Sequence, residues 1–307
     1  MELPCSGHSS HDLQEPSHAK IDTVPARPTR RVMLTAVLAL SATALPGCGV
    51  RLEDDAPDIP FVPTRKPIPG ESPLLAVLGI LEGSDELYAS QRAAMLREAL
   101  VTAGVPTSAI SAATGPTRAA EAVTAFEASV RECPAIMLRL VGQLTASHRI
   151  AAGSGAPETL WTPAATTPWT AGAVAADALV ATQATRYAVD IIAARQSPGR
   201  VADDMAATRQ GLDRLSIRQT TAAGDDVQPV PLGYQRPADL TGTAARDWGV
   251  NAFIRMQAAY ADGLDRLAED RDAALETVGW MVEAHRLSRS QFLQHVPELY
   301  GDGSLQR

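Results

Sequence analysis

"SPGRVADDMAATRQGLDRL", residues 197–215, is the stretch of this chain that most clearly decides its fold. Ser197 can serve as a helix N-cap, and Pro198 suits the first helical position, where no backbone N–H is needed. The following residues recur three and four apart, so that they share one face of a helix: Val201, Met205, Thr208, Leu212 and Leu215. The segment therefore predicts an amphipathic helix of about five turns.

The same spacing recurs on both sides of this segment. Thr167-Pro168 predicts the start of a helix that runs to about Arg195, with inward positions at Val174, Ala178, Ala181, Ala188 and Ile191. After the loop "DDVQPVPLGYQRPADL", two more stripes predict a second helical pair: Trp248, Ala252, Met256, Tyr260, Leu264 and Leu267, then Leu275, Val278, Val282, His285, Phe292 and Val296, ending at Pro297. Short loops within each pair and a longer connection between them predict a four-helix bundle over residues 167–300.

A further helical unit is predicted at residues 74–153. Its helices are expected at 73–82, 85–103, 116–132 and 134–152, and a polar, proline-containing linker at 154–166 separates it from the bundle. No convincing run of alternating β-branched residues occurs, so the predicted fold class is all-α. The sequence leaves open whether the two units pack as one body.

The N-terminal segment carries an export pattern. An uncharged run from Val32 to Gly47 follows Arg30 and Arg31, and it is shorter than the about 20 residues that a membrane-spanning helix needs. "LPGC" at 45–48 resembles the lipobox of bacterial lipoproteins, and "TRRVML" at 29–34 resembles a twin-arginine signal, although the general secretory route stays open. The resemblance implies a signal peptide at 1–47 and lipidation of Cys48.

Two other interpretations of this apolar run remain: an uncleaved anchor helix, or a hydrophobic helix of a soluble fold. In the lipoprotein interpretation, the proline-rich segment 48–73 is a semi-rigid spacer, and the protein lies on the extracytoplasmic face of the cell membrane. The lipid anchor then provides the contact with the membrane.

The composition of the chain limits the classes of partner that it can bind. The signal segment holds equal numbers of acidic and basic residues, so its removal leaves the net charge of −8 unchanged. Such an acidic chain argues against nucleic acid and against a polybasic contact with anionic lipid. Cys133 is the one cysteine beyond Cys48, so it has no intrachain disulfide partner and is predicted to be a buried small hydrophobic residue.

Residues 167–300 also resemble a known family. The paired helices, the loop "QPVPLGYQRP", the stretch "AAYADGLDRLA" and the closing "FLQHVPELYG" are similar to the ferritin-like domain of unknown function in actinobacterial lipoproteins. Ferritin-like enzymes hold two irons through a Glu on each of two helices and Glu-x-x-His on the other two. The resemblance therefore implies a four-helix bundle and asks whether those ligands are present.

The ligand pattern is missing from the chain that follows the predicted signal peptide. Three residues before His148, His285 and His295, its three histidines, stand Thr145, Val282 and Phe292, so that no Glu-x-x-His occurs after residue 47. The remaining metal candidates are weak: His285, Glu283, His148 and Asp190. Glu283 and His285 are two residues apart, which places them on different sides of a helix. We expect the diiron centre of such a fold to be absent.

Two functions follow from these patterns. The chain has no phosphate-binding loop, nucleophile elbow, His-Glu-x-x-His motif or paired Cys-x-x-Cys, so we assign no catalytic residue and expect no cofactor. The leading hypothesis is a non-enzymatic interaction or envelope-assembly module with a protein partner of unknown identity. The alternative is a cofactor- or metal-binding ferritin-like redox protein with non-standard ligands.

Overall fold

The computed structural model describes residues 65–289 except 153–159, 196, 198, 230 and 232. This part of the chain is helical and contains no strand, which confirms the all-α prediction. Its α-helices are α1 Glu71–Glu82, α2 Ala89–Thr102, α3 Thr107–Ser111, α4 Ala119–Glu132, α5 Leu138–Ala151, α6 Gly172–Ala193, α7 Arg200–Ala223, α8 Gly242–Leu264 and α9 Arg271–Ser288. No helix in these ranges is long and apolar enough to cross a membrane.

Helices α6 to α9 form a four-helix bundle. Helix α6 packs against α7 and α8, and α9 packs against α8 and α7, so that each helix has two neighbours in the bundle. Small residues permit close contact: Gly211 on α7 lies beneath Leu287 of α9, and Gly263 on α8 lies against Val174 of α6. The apolar stripes predicted from the sequence are largely buried, with Leu212, Leu215, Met256 and Leu264 fully so.

Helices α4 and α5 pack onto this bundle, and α1 to α3 pack onto α4, α5 and one another, within one compact unit. Helix α5 lies against α9 and α8, where Gly142 faces Leu264 and Val278. Ion pairs reinforce the contact, with Arg131 at the end of α4 bound to Asp272 and Arg139 bound to Asp262.

Several helices start later than the sequence predicts, among them α6 and α7, and one helix was not predicted at all. Helix α7 begins at Arg200 after Gly199, whose φ of 144° favours glycine, so Ser197 is not its N-cap. Helix α6 begins at Gly172 instead of 168, because the backbone before it forms contacts elsewhere: Trp169 N–H donates to Ala222 O at 2.8 Å. The prediction missed α3, whose five residues are too few to show a periodic pattern.

The last predicted helix is shorter than expected. Helix α9 ends at Ser288, well before Pro297, and Phe292 and Val296 lie outside the described residues. The predicted signal peptide with Arg30 and Arg31, the predicted lipidation site Cys48, and His295 also lie outside them.

Candidate functional site

The weak metal candidates lie on three different helices. His148 on α5 stacks on Phe126, with ring centroids 4.2 Å apart, and burial followed by the neighbouring charge of Arg149 lowers its pKa. Asp190 on α6 forms an ion pair with Arg209 of α7. His285 is buried on α9. In the part of the chain that the structure describes, no three His, Cys, Asp or Glu residues form a group able to hold a metal ion.

Glu283 is a buried carboxylate whose charge is compensated. Only 2 % of its side chain is exposed, and it accepts hydrogen bonds from Arg286 Nε at 2.7 Å and from Arg286 Nη2 at 2.6 Å. Arg214 of α7 adds a second cation, with its Nη2 3.8 Å from Glu283 Oε1. Glu283 therefore joins α9 to α7 through charged contacts inside the bundle.

The middle of the bundle contains a closed hydrogen-bond cycle. Thr182 Oγ1 of α6 donates to Gln219 Oε1 of α7 at 2.7 Å, and Gln219 Nε2 donates to Tyr260 Oη of α8 at 2.9 Å. Tyr260 Oη lies 2.5 Å from Thr182 Oγ1 and completes the cycle as the donor. Three helices are thereby joined at one level, and each polar group in the cycle has a partner inside the bundle.

Tyr260 allows a pH prediction. Burial, only partly offset by its hydrogen bonds to Thr182 and Gln219, raises its pKa from 10.0 to about 12. The unfolded chain therefore loses this proton first, so the stability due to the neutral phenol is complete below pH 10 and is lost as the pH rises towards 12. We expect the free energy of unfolding to fall by about 3 kcal/mol over this interval, measured by urea unfolding at a series of pH values.

Tyr260→Phe is the control for that prediction. It should abolish most of the alkaline loss while costing about 1 to 2 kcal/mol at neutral pH, because Thr182 and Gln219 lose a partner. Lysine titration interferes little, since Lys20 and Lys66 are the only lysines of the chain. A folded protein in which Tyr260 ionises near its ordinary pKa would contradict the assignment of a closed, buried cycle.

A polar cleft of about 480 Å³ opens beside the bundle between α9 and the segment before α6. At its wall Arg218 of α7 binds Glu276 of α9 through two contacts, Nε to Oε1 at 2.5 Å and Nη2 to Oε2 at 2.7 Å. Trp169 Nε1 donates to the same carboxylate at 3.1 Å, and its ring stacks on Trp280 at a centroid distance of 4.7 Å. Because the charges in this cleft are already paired, the cleft serves to hold the segment before α6 on the bundle.

A second cleft, of about 580 Å³, lies where the loop before α8 meets α6 and α8. We call it the arginine cleft; its lining is Ala184, Tyr234, Gln235, Arg236, Pro237, Trp248 and Arg255. Part of this lining belongs to the stretch "QPVPLGYQRP", which the sequence indicated only as one element of a resemblance to a known family.

An apolar groove of about 380 Å³ lies between α2 and the start of α5. Its lining is mostly apolar: Met95, Glu98, Ala99, Thr102, Ala103, Ile136, Met137 and Leu140. Ile136 beside it is 87 % exposed, which is unusual for a large aliphatic residue.

Sequence reasoning placed some of these residues and missed others. Tyr260 was expected on an inward stripe. Gln219 continues the α7 stripe four residues after Leu215, and a polar residue at such an inward position could have indicated a buried hydrogen bond. Arg218 and Glu276 gave no such signal, because arginine and glutamate are ordinary residues of a helix surface. Cys133 is buried as predicted, and burial raises the pKa of its thiol.

Comparison of the chain with protein-family models, with curated proteins and with solved structures gives no match.

Proposed function

We propose that this chain is a lipid-anchored helical protein of the extracytoplasmic face of the cell membrane, acting as an interaction or envelope-assembly module and not as an enzyme. The observation that carries the non-enzymatic part is the closed centre of the bundle. There the hydroxyls of Thr182 and Tyr260 and the amide of Gln219 bond to one another, and Glu283 is held by arginines. A four-helix bundle whose centre is occupied in this way favours a function that depends on binding at its surface.

The outer surface offers a feature that suits a protein partner. The groove beside Ile136 combines an exposed aliphatic side chain with a mainly apolar lining. Exposed apolar patches bordered by polar residues are typical of interaction sites. The export pattern around Arg30, Arg31 and Cys48 supports the location at the membrane, with the acyl chains as the anchor.

Metabolic labelling with a palmitate analogue tests the membrane part of this proposal. We expect the wild-type chain, expressed in a bacterium with the lipoprotein pathway, to incorporate label and to partition into detergent. Cys48→Ala should lose both properties, because no other thiol follows the signal segment at a position suited to lipidation. Cys133→Ala is the matched control and should label as the wild type does, since Cys133 is buried in the fold. Labelling that survives Cys48→Ala would refute the anchor.

The alternative function is a metal-binding, redox-active ferritin-like protein with non-standard ligands such as His285, Glu283 and His148. One observation favours it: Gln257 on α8 is completely buried, and among the described residues neither its Nε2 nor its Oε1 has a hydrogen-bond partner. A buried amide with unsatisfied atoms costs free energy unless something binds it. Elemental analysis of natively purified protein decides between the two proposals, because stoichiometric metal that is lost in His285→Ala would favour the alternative.

A further inference from the structure

The arginine cleft differs from the rest of the surface in its charge balance. Most arginines of the described chain form ion pairs with carboxylates, including Arg186 with Asp213, across the same face of α6 and α7. Arg236 and Arg255 line the cleft and pair with no carboxylate in the described ranges. Two uncompensated cations in one cleft of an acidic protein concentrate anions there.

Neighbouring groups add to this imbalance without neutralising it. The hydroxyl of Tyr234 is buried, lines the same cleft and lacks a hydrogen-bond partner in the described chain, so it is free to donate to a ligand. Asp239, the carboxylate closest to Arg236 in the loop, accepts from Thr241 N–H at 2.9 Å and from Thr241 Oγ1 at 2.7 Å. Those bonds lower the pKa of Asp239 and direct its carboxylate towards the start of α8.

The two aromatic residues of the cleft lining, Tyr234 and Trp248, pack against a third aromatic ring. Tyr187 of α6 lies 5.6 Å from the ring of Tyr234 and 6.3 Å from that of Trp248, measured between centroids. Beside them, Thr185 Oγ1 donates to Ala252 O at 3.1 Å, which fixes α6 against α8. The cleft thus combines aromatic rings with convergent polar groups, and its volume of about 580 Å³ is within the range of about 300 to 1,000 Å³ that is common for small-molecule sites.

We infer that the arginine cleft binds an amphiphilic phosphate, with the phosphate held by Arg236 and Arg255 and an apolar or aromatic body against Trp248 and Tyr234. Guanidinium groups bind phosphate through paired, charge-assisted hydrogen bonds, and the exposed positions of both arginines let them turn towards a ligand. The phosphate belongs either to a soluble organic phosphate or to the headgroup of a phospholipid. This site requires neither the lipid anchor nor a protein partner.

Titration calorimetry with 1-naphthyl phosphate tests this inference on the full chain in detergent. Arg236→Gln and Arg255→Gln should each weaken binding about tenfold, because each removes a charged hydrogen bond, and the double variant should weaken it further. Arg246→Gln is the matched control: Arg246 is also an exposed arginine of α8, but it lies outside the cleft lining, so its loss should change affinity less than about twofold. Circular dichroism should show equal helicity in all variants.

Further probes define the ligand. Inorganic phosphate should bind more weakly than 1-naphthyl phosphate, because it lacks the apolar body. Displacement of the probe by mixed micelles that contain phosphatidylglycerol, but not by mixed micelles that contain phosphatidylcholine, assigns a lipid headgroup, whereas displacement by neither assigns a soluble phosphate. Absence of binding, equal losses in the Arg246→Gln control, or equal affinity for inorganic phosphate would each overturn the inference.

Discussion

Arg218→Ala is expected to lower the free energy of unfolding by about 3 to 5 kcal/mol. The Arg218 side chain is 3 % exposed and that of Glu276 is 12 % exposed, so removal of the guanidinium leaves a nearly buried carboxylate without its counter-charge. Arg218 Nη1 also donates to Thr167 O at 3.0 Å, which holds the segment before α6 on the bundle. Urea unfolding followed by circular dichroism measures the loss.

A double variant separates the ion pair from its surroundings. Arg218→Met with Glu276→Leu removes both charges together and should be markedly more stable than Arg218→Ala alone, because no buried charge remains unpaired. The exposed pair of Arg186 and Asp213 supplies the comparison at the surface, where Arg186→Ala should cost less than about 1 kcal/mol. Equal losses for Arg218→Ala and Arg186→Ala would show that Arg218 is solvated in the folded protein.

Arg218→Ala should also have a local effect, which hydrogen exchange can measure. Trp169 N–H donates to Ala222 O, and Trp169 Nε1 donates to Glu276, so the segment before α6 depends on the ion pair at two points. We expect hydrogen exchange of the Trp169 amide to accelerate in Arg218→Ala even below the unfolding transition. The amides in the middle of α8 should keep their protection.

The positions of the helices could be predicted from the sequence because buried residues recur with the period of a helix. The α7 stripe from Val201 to Leu215 is a local pattern, and packing of α7 against α6 and α9 buries its inner positions. Helix starts were less accurate, since they depend on backbone contacts of distant residues, as at Trp169 and Ala222. Ser197 has the chemistry of an N-cap, but the adoption of a positive φ by Gly199 decides where α7 begins.

The candidate sites were harder to predict from the sequence, because they too depend on contacts between distant residues. Arg236 is on a proline-containing loop and Arg255 is on the exposed face of α8, so neither spacing nor periodicity connects them. Arg218 directly precedes Gln219 on α7, yet its burial comes from Thr167 and Glu276, which are far away in the sequence. Polar contacts between distant segments require the three-dimensional arrangement, whereas apolar stripes do not.

Gly79→Ala is the second substitution for which we expect a large effect. Gly79 is in the middle of α1, where alanine would normally stabilise a helix by about 1 kcal/mol. Here a Cβ atom would lie 2.2 Å from the backbone N of Gly115 and 2.3 Å from the backbone C of Thr114. Those atoms belong to the segment between α3 and α4, so neither can move by a simple change of rotamer.

We therefore expect Gly79→Ala to lower the free energy of unfolding by about 3 kcal/mol, because the segment at Thr114 and Gly115 must move away from α1. Gly83→Ala, at the residue that directly follows α1, is the matched control: the φ of Gly83 is −88°, and its added Cβ would meet the nearest atom at 3.4 Å, an ordinary contact. That variant should change stability by less than about 1 kcal/mol. Thermal and urea unfolding of both variants measure the difference, and a Gly79→Ala protein as stable as Gly83→Ala would mean that α1 does not contact this segment so closely. A large difference would show that glycine at position 79 is required by the close approach of the two backbones, overriding the helix preference of alanine.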